Sequence, residues 1–270
     1  EIGFFETGGR GVHRIWYSGG ETVYISVRVE GYNERILMLV DISEPNIPKE
    51  ISRWWFPGMW VAGNEKTDWP VNGQSIGVHH AIVHNDRAYA GFWGGGMLIL
   101  DISDPSKPGL ITHTKWKPGE GGSTHTAMPL PKRNLLVVTD ESTADDCKEE
   151  PRRVRLFDIS DEKKPRLVSM FPEPRGNFCE RGGRFGPHNV HENRPGAYCS
   201  DRFIYVTYFN AGLRVFDIDD PKNPQEIAYY LPPCPQNQKT IQTNDVFVAE
   251  NGLIFISDRL NGGIDILEMV

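Results

Sequence analysis

The stretch MLILDISDPSKP, from Met97 to Pro108, joins a run of four apolar residues to an aspartate and then to a proline-containing turn. Such a run, followed at once by turn residues, is typical of a short buried β-strand. Related stretches recur along the chain, and this recurrence decides the fold. They are LMLVDISEPNIP (Leu37–Pro48), VRLFDISDEKKP (Val154–Pro165), LRVFDIDDPKNP (Leu213–Pro224) and a worn copy, GIDILEMV (Gly263–Val270).

The repeated motif has a nearly constant period. Asp41, Asp101, Asp158 and Asp217 are 60, 57 and 59 residues apart. Two strand-like segments precede the motif strand and one follows it, so each unit contains four short antiparallel strands, named a to d. Repeats of about 40 to 60 residues with four strands each predict the blades of a β-propeller. We therefore predict an all-β, five-bladed β-propeller of four-stranded antiparallel blades, formed by residues 1–270 as a single domain, rather than a β-sandwich.

The two ends of the chain suggest how the propeller closes. The last unit, from Ile241, has strands a, b and c but lacks strand d. The N-terminal segment EIGFFETGG (Glu1–Gly9) resembles the d strands of other units, so we expect it to supply the missing outer strand and close the ring. The chain opens abruptly on this segment, and we expect further residues upstream of it.

Composition limits the classes of function. The net charge of −7 disfavours nucleic acid as a partner, because a phosphate backbone attracts a basic surface. No apolar run reaches the roughly 18 residues of a membrane span.

The four cysteines form no CxxC pair, which argues against a zinc ribbon. Their even number permits disulfides and slightly favours a periplasmic or secreted protein, although no signal peptide is visible. Cys147 and Cys179 both lie in loops at one face of the predicted propeller, so we expect that they can form a disulfide. Cys199 lies near the opposite face.

The DIS stretches resemble the LVIVD-repeat family of bacterial β-propellers, which is named for strand c. The resemblance covers nearly the whole chain and implies the propeller architecture. It implies little about chemistry, because one fold hosts many functions. The repeated aspartates lie in the c–d turn, where we expect them to cap backbone N–H groups.

A column of histidines appears when the a strands are aligned at their starts. The aligned segments are GVHRI, GVHHA, STHTA, GPHNV and QTNDV, and the shared column contains His13, His79, His125, His188 and Asn244. Packing positions favour apolar residues, so repetition alone rarely selects histidine. Strand a is the innermost strand of a blade, and its start lies at one mouth of the central axis. We therefore predict that the four histidines converge on this axis.

Converging imidazoles predict a metal site. The expected cofactor is one divalent transition metal (Fe, Mn, Zn or Cu), since calcium and magnesium prefer oxygen ligands. The arrangement is similar in kind to the axial histidines of carotenoid-cleaving oxygenases and selenium-binding-protein-type oxidases. Asn244, Asp245 and His80 are candidates for a further ligand or for a supporting role, with His80 expected to point away by strand alternation. We expect Glu141 and Asp245 to hydrogen-bond the distal ring nitrogens. A ring of hydrogen-bonded histidines around water is the alternative.

The ends of the b strands lie at the same predicted mouth. Glu141, Asp140 and Asp258 are candidate catalytic bases there. Arg28 and Arg259 are candidates for binding a carboxylate or phosphate, and Trp93, Tyr208 and Phe209 for an apolar wall. For each charged residue, the alternative interpretation is a salt bridge at the rim of the propeller, such as one between Arg28 and Glu141.

Three functions compete for this pattern. The first is a mononuclear metalloenzyme acting on a small organic substrate with a carboxylate or aromatic part, by oxygenase or by lyase, hydratase or isomerase chemistry. The second is a non-catalytic binding propeller whose histidine ring or metal is structural. The third is a glycosidase that uses carboxylates alone, against which the histidine column argues. The sequence leaves the oligomeric state open.

Overall fold

The computed structural model describes residues 2–66, 76–117, 119–260 and 262–270. Residues 67–75, which belong to the connection between the first two blades, lie outside the described residues. The described residues form five antiparallel sheets, one for each predicted blade. None of the described helices has the length and hydropathy of a membrane span.

The contacts within the chain divide it into two compact units, each larger than a single sequence repeat. They are Glu1–Lys115, called unit 1 from here on, and Trp116–Val270, called unit 2. The strands of unit 1 form blade 1, with β1 (Gly9–Trp16), β2 (Thr22–Val29), β3 (Ile36–Asp41) and β4 (Lys49–Trp54), and blade 2, with β5 (Gly77–His84), β6 (Arg87–Trp93), β7 (Gly96–Asp101) and β8 (Gly109–Thr114). The five-bladed propeller fold is confirmed, and the single-domain organisation stays a prediction.

Unit 2 contains the remaining three blades. Their strands are β9 (Thr124–Leu130), β10 (Leu135–Asp140), β11 (Val154–Asp158) and β12 (Arg166–Met170) in blade 3, β13 (Phe203–Thr207), β14 (Leu213–Asp217) and β15 (Gln225–Tyr230) in blade 4, and β16 (Thr243–Val248), β17 (Ile254–Asp258) and β18 (Ile264–Leu267) in blade 5. Each sheet follows chain order, as expected of a meander.

The motif strands form the cores of the blades. Leu37, Met38 and Leu39 of β3 are fully buried, as are Leu98 and Ile99 of β7. A strand buried on both faces has a continuous apolar run rather than an alternating one, which explains the sequence of strand c. The outer strand β15 instead alternates between exposed and partly buried residues.

The repeated aspartates are structural, as predicted. Asp41, Asp101 and Asp158 each accept a hydrogen bond from the backbone N–H two residues later, at 2.7, 2.9 and 2.8 Å. Asp217 does the same with Asp219, at 2.8 Å. The side chain thereby replaces a backbone partner where strand c turns into strand d.

Blade 4 lacks a regular innermost strand, contrary to the prediction of four strands in every blade. The segment at His188–His191 lies beside β13, and its His191 N–H donates to the Tyr205 carbonyl at 2.9 Å. Within the described residues it forms only the isolated bridge Val190↔Val206. Pro187 directly precedes this segment, and three of its four residues are polar, which weakens a regular ladder.

The N-terminal segment does not form the predicted outer strand of blade 5. Among the described residues, no strand is present from Ile2 to Gly8, and the sheet of blade 5 has the order β16-β17-β18. Gly3 lies against the Pro45 carbonyl. Phe5 packs on the apolar core of unit 1, so side-chain packing, not a β-ladder, holds the segment.

Candidate functional site

Every residue of the histidine column lies where the pairing of strands a and b is interrupted. The ladder skips His13 between Val12 and Arg14, His79 between Val78 and His80, His125 between Thr124 and Thr126, and Asn244 between Thr243 and Asp245. In blade 4, the His188 N–H donates to the Thr207 carbonyl at 2.8 Å while the Thr207 N–H donates to the Asn189 carbonyl at 2.9 Å. Two residues thus face one in all five blades, which is the pattern of a β-bulge.

The bulge changes the direction of the residue after each histidine. Strand alternation predicts that His80 points away from His79, and this prediction is wrong. The Nδ1 atoms of the two rings are 3.2 Å apart, and both residues are buried. In blade 3, the Nδ1 of His125 lies 2.8 Å from the Thr126 hydroxyl. A bulge interrupts the alternation of side chains, so the side chains of consecutive residues lie close to each other here.

In unit 1, two column histidines meet directly. The Nε2 atoms of His13 and His79 are 2.9 Å apart, and the indole of Trp93 stacks on His79 with ring centroids 5.6 Å apart. Desolvation and the charge of Arg35 lower the pKa of His13 to about 4. Burial, with His80 and Arg35 adding to it, lowers the pKa of His79 well below its usual range. Both rings are therefore neutral near pH 7, which is the protonation state that binds metal ions.

In unit 2, the side chains of His125, Glu141 and His188 come together. Each offers one ligand atom, the three atoms lie within 4.8 Å of one another, and all three residues are buried. The Nε2 of His188 is 3.7 Å from the Glu141 Oε1. Glu141 follows β10, and its N–H donates to the Ser123 carbonyl at 2.9 Å. The end of strand b is thereby fixed beside the start of strand a, as the sequence predicts.

A backbone carbonyl fixes the tautomer of His188. Its Nδ1 lies 2.7 Å from the Asn244 carbonyl oxygen, which can only accept. The hydrogen of a neutral His188 ring therefore resides on Nδ1, and the lone pair of Nε2 faces the Glu141 carboxylate. The ring nitrogen and the carboxylate then both offer electron pairs, a combination of donors that suits a metal ion.

Two buried amide oxygens belong to the same surroundings. The Nδ2 of Asn189 donates to the Asn244 carbonyl at 2.8 Å. The Oδ1 atoms of Asn189 and Asn244 are buried and have no hydrogen-bond partner among the described residues. Buried acceptors left without a donor are uncommon and point to water or to an ion.

Positive charge surrounds Glu141 on its other side. Arg184 Nη1 donates to Glu141 Oε1 at 2.9 Å, and Arg259 Nη1 lies 4.0 Å from the same oxygen. Both guanidinium groups lie over the Phe209 ring, and Phe209 stacks on His188 with centroids 4.7 Å apart. Phe209 has a φ of 42°, which is rare for a bulky residue and marks a strained backbone. Sequence reasoning found Arg259 and Phe209 but missed Arg184, which lies in a loop outside the repeat.

The other predicted site residues have structural partners. Asp140 is fully buried and pairs with Arg155 at 2.5 Å. Asp258 accepts hydrogen bonds from the N–H groups of Gln242 and Leu260, both at 2.6 Å, and so shapes a turn. Tyr208 is buried, and burial raises the pKa of its phenol.

Further partners differ from those expected. Arg28 pairs with Glu34 at 2.7 Å rather than with Glu141. The Asp245 carboxylate accepts a hydrogen bond from the Val246 N–H at 2.9 Å. The Nδ1 atom of His125 lies beside the Thr126 hydroxyl, and that of His188 lies beside the Asn244 carbonyl. The Cys147–Cys179 disulfide is present, with the Cα atoms 5.4 Å apart.

The model of the LVIVD repeat matches residues 81–114 and 198–231. No curated protein sequence gives a significant match. The β-propeller domain of Cps50 from Myceliophteria thermophila superposes with a TM-score of 0.59 at 13% identity, covering 93% of this chain and 67% of that one.

Two further structures carry names that refer to chemistry. A hypothetical selenium-binding protein from Sulfolobus tokodaii has a TM-score of 0.62 at 13% identity, covering 95% of this chain and 59% of that one. The periplasmic gluconolactonase of Pseudomonas aeruginosa has a TM-score of 0.57 at 12% identity, covering 92% and 67%. The chain thus spans about two thirds or less of these proteins, and such identities show the fold alone. The chain is a five-bladed β-propeller, and two of its segments, residues 81–114 and 198–231, match the LVIVD repeat.

Proposed function

We propose that this protein is a mononuclear metalloenzyme whose divalent transition metal is bound in unit 2 by His125, His188 and Glu141. Two histidines and one carboxylate suit non-heme iron, and the same donors also bind zinc. Three protein ligands leave positions open for a substrate or water, as in catalytic rather than structural sites. When bound, the ion would polarise a substrate or lower the pKa of a bound water.

One observation carries the proposal: His125, Glu141 and His188 are buried, and each offers a ligand atom within 4.8 Å of the other two. A metal ion would accept electron pairs from all three side chains. The Asn244 carbonyl would then act as the outer partner that holds a ligating ring in place. Convergence of His13 and His79 on the same ion stays a prediction.

The surrounding residues have supporting roles in this proposal. Arg184 and Arg259 would keep Glu141 ionised, because an adjacent positive charge favours the carboxylate. Phe209 would fix the plane of His188 by stacking. The substrate would be a small organic molecule, as the name of the gluconolactonase suggests by analogy. The disulfide favours an oxidising compartment.

Elemental analysis of protein purified without added metal tests the metal site. We expect about one equivalent of a transition metal in the parent protein. His188→Ala and Glu141→Gln should each reduce metal retention by about ten-fold or more. His84→Ala is the matched control, since His84 is exposed and lies outside the column.

The outcomes separate the competing explanations. Unchanged metal content in His188→Ala would refute this ligand set. A parent protein that binds no metal would refute the metal site and leave Arg184 as the partner of Glu141. Turnover of a panel of lactones, hydroxy acids and aromatic acids separates an enzyme from a binding propeller, because a structural metal leaves the panel unchanged.

A further inference from the structure

Unit 1 contains a small basic cavity, and the described residues that line it include none of the three proposed metal ligands. Its volume is about 290 Å³. The described residues that line it are Arg10, Gly11, Val12, His13, Arg28 and Arg35. Three of them are arginines and none is acidic, so the lining has a net positive charge.

The deepest of these arginines is held rigidly. Arg35 is only 7% exposed, and its guanidinium lies 5.5 Å from the centroid of the Trp93 ring. A buried guanidinium is costly to desolvate and attracts an anion strongly, because little water screens it. Stacking on an aromatic ring fixes its plane without using its N–H donors.

A carboxylate outside the lining braces the arginines. Glu34, which is 7% exposed, accepts hydrogen bonds from Arg28 Nε at 2.7 Å and from Arg28 Nη2 at 3.0 Å. Arg35 Nε lies 3.4 Å from the same carboxylate. Thus Glu34 orients two guanidinium groups before any ligand binds. Such preorganisation lowers the entropic cost of binding.

We propose that this cavity binds the oxyanion group, carboxylate or phosphate, of a small metabolite. Guanidinium groups bind both anions through paired N–H donors. A larger cavity of about 470 Å³ shares Arg10 and Arg28 with it, and its lining also includes Tyr32, Asn33 and the two acidic residues Glu30 and Glu34. The anionic group would bind between the arginines, and the polar remainder would extend toward Tyr32 and Asn33. This inference rests on unit 1 alone and does not require the metal.

Isothermal titration calorimetry at low salt tests the site with acetate, succinate and inorganic phosphate as probes. We expect at least one of the probes to bind the parent protein, with an affinity that falls as chloride is added. Arg10→Gln should weaken binding about ten-fold, and Arg10→Glu should abolish it. Arg10 is exposed, so neither change should disturb folding. Arg87→Gln is the control, because Arg87 pairs with Asp101 in blade 2 and is not among the described residues that line either cavity.

The probes distinguish the sources of the anion. Tighter binding of acetate or succinate identifies an organic acid, and tighter binding of phosphate identifies a phosphate ester. The proposal is overturned if no probe binds, or if the Arg10→Gln and Arg87→Gln variants bind the probes alike. Titration after treatment with a chelator separates this site from the metal, since binding that disappears with the metal would place the anion on the ion.

Discussion

Two consecutive carboxylates illustrate how position decides chemistry at the residue scale. Asp140 is the last residue of β10 and Glu141 follows it, yet their side chains have opposite surroundings. Asp140 accepts from Arg155 at 2.5 Å and from the Thr124 hydroxyl at 2.8 Å. Glu141 faces His188 and Arg184. Successive side chains of a strand point to opposite sides, so one carboxylate stabilises the blade and the other is available for a site.

Replacing Asp140 should therefore affect stability rather than chemistry. Asp140→Ala leaves the charge of Arg155 buried without its carboxylate, and we expect the free energy of unfolding to fall by about 3 to 5 kcal/mol. Urea unfolding measures this loss. The exposed residue Asp86 offers the control variant Asp86→Ala, which should change stability by no more than about 0.5 kcal/mol.

Asp140→Asn guards against a variant that does not fold, since it preserves the shape of the side chain. Its metal content per folded molecule should equal that of the parent. A catalytic Asp140 would give the reverse result, with stability retained and turnover lost.

At the scale of elements, hydroxyl groups tie the end of one blade to the bulge of the next. Ser26 donates to the Val78 carbonyl at 2.6 Å, Thr139 to the His188 carbonyl at 3.1 Å, and Thr207 to the Asn244 carbonyl at 3.1 Å. In each case, the acceptor is a column residue or the residue just before one. The bulge is thereby held from the neighbouring strand b as well as by its own ladder.

Thr139→Val should test this connection. The change removes a buried donor to the His188 carbonyl, and we expect a loss of about 1 to 2 kcal/mol in the free energy of unfolding. Metal retention should also fall by about ten-fold, because outer-shell contacts orient ligating histidines. Thr114→Val, in the outer strand β8, is the control. Equal metal retention in both variants would show that this hydroxyl does not position His188.

At the scale of the whole molecule, the long loops need support that the blade ladders do not supply. The Cys147–Cys179 disulfide joins the β10–β11 loop to the segment after β12, across 32 residues. Glu149 in the first loop accepts hydrogen bonds from Ser142 and from the N–H of Ala144, at 2.8 and 2.9 Å. These contacts fix the connections on either side of β11 and β12.

Removing the disulfide should destabilise the protein by about 3 to 4 kcal/mol, because the unfolded chain regains the entropy of a loop of this length. The Cys147→Ser, Cys179→Ser double variant should unfold at lower urea concentration than the parent. The double variant at the exposed free thiols, Cys199→Ser with Cys234→Ser, provides the comparison and should match the parent. Coincident unfolding curves for all three proteins would contradict the prediction.

The sequence by itself determined the repeat and most of what the repeat controls. Strand c is buried on both faces, so its apolar run is continuous and easily recognised, and the aspartate turn follows from local chemistry. The histidine column could also be found, since equivalent positions in successive blades share one environment. These features depend on contacts within one repeat of about sixty residues, and a repeat can be recognised from the sequence by its period.

Only the tertiary structure decided how the column side chains are directed. A bulge depends on which N–H and carbonyl groups pair, and side-chain alternation alone gave the wrong direction for His80. Arg184 lies in a loop outside the repeat and therefore leaves no periodic signal. The Asn244 carbonyl, which fixes the His188 tautomer, is a backbone atom that every sequence provides. Hydrogen bonds between segments that are far apart in the sequence place these groups together. The periodic pattern of residue types does not reveal such hydrogen bonds.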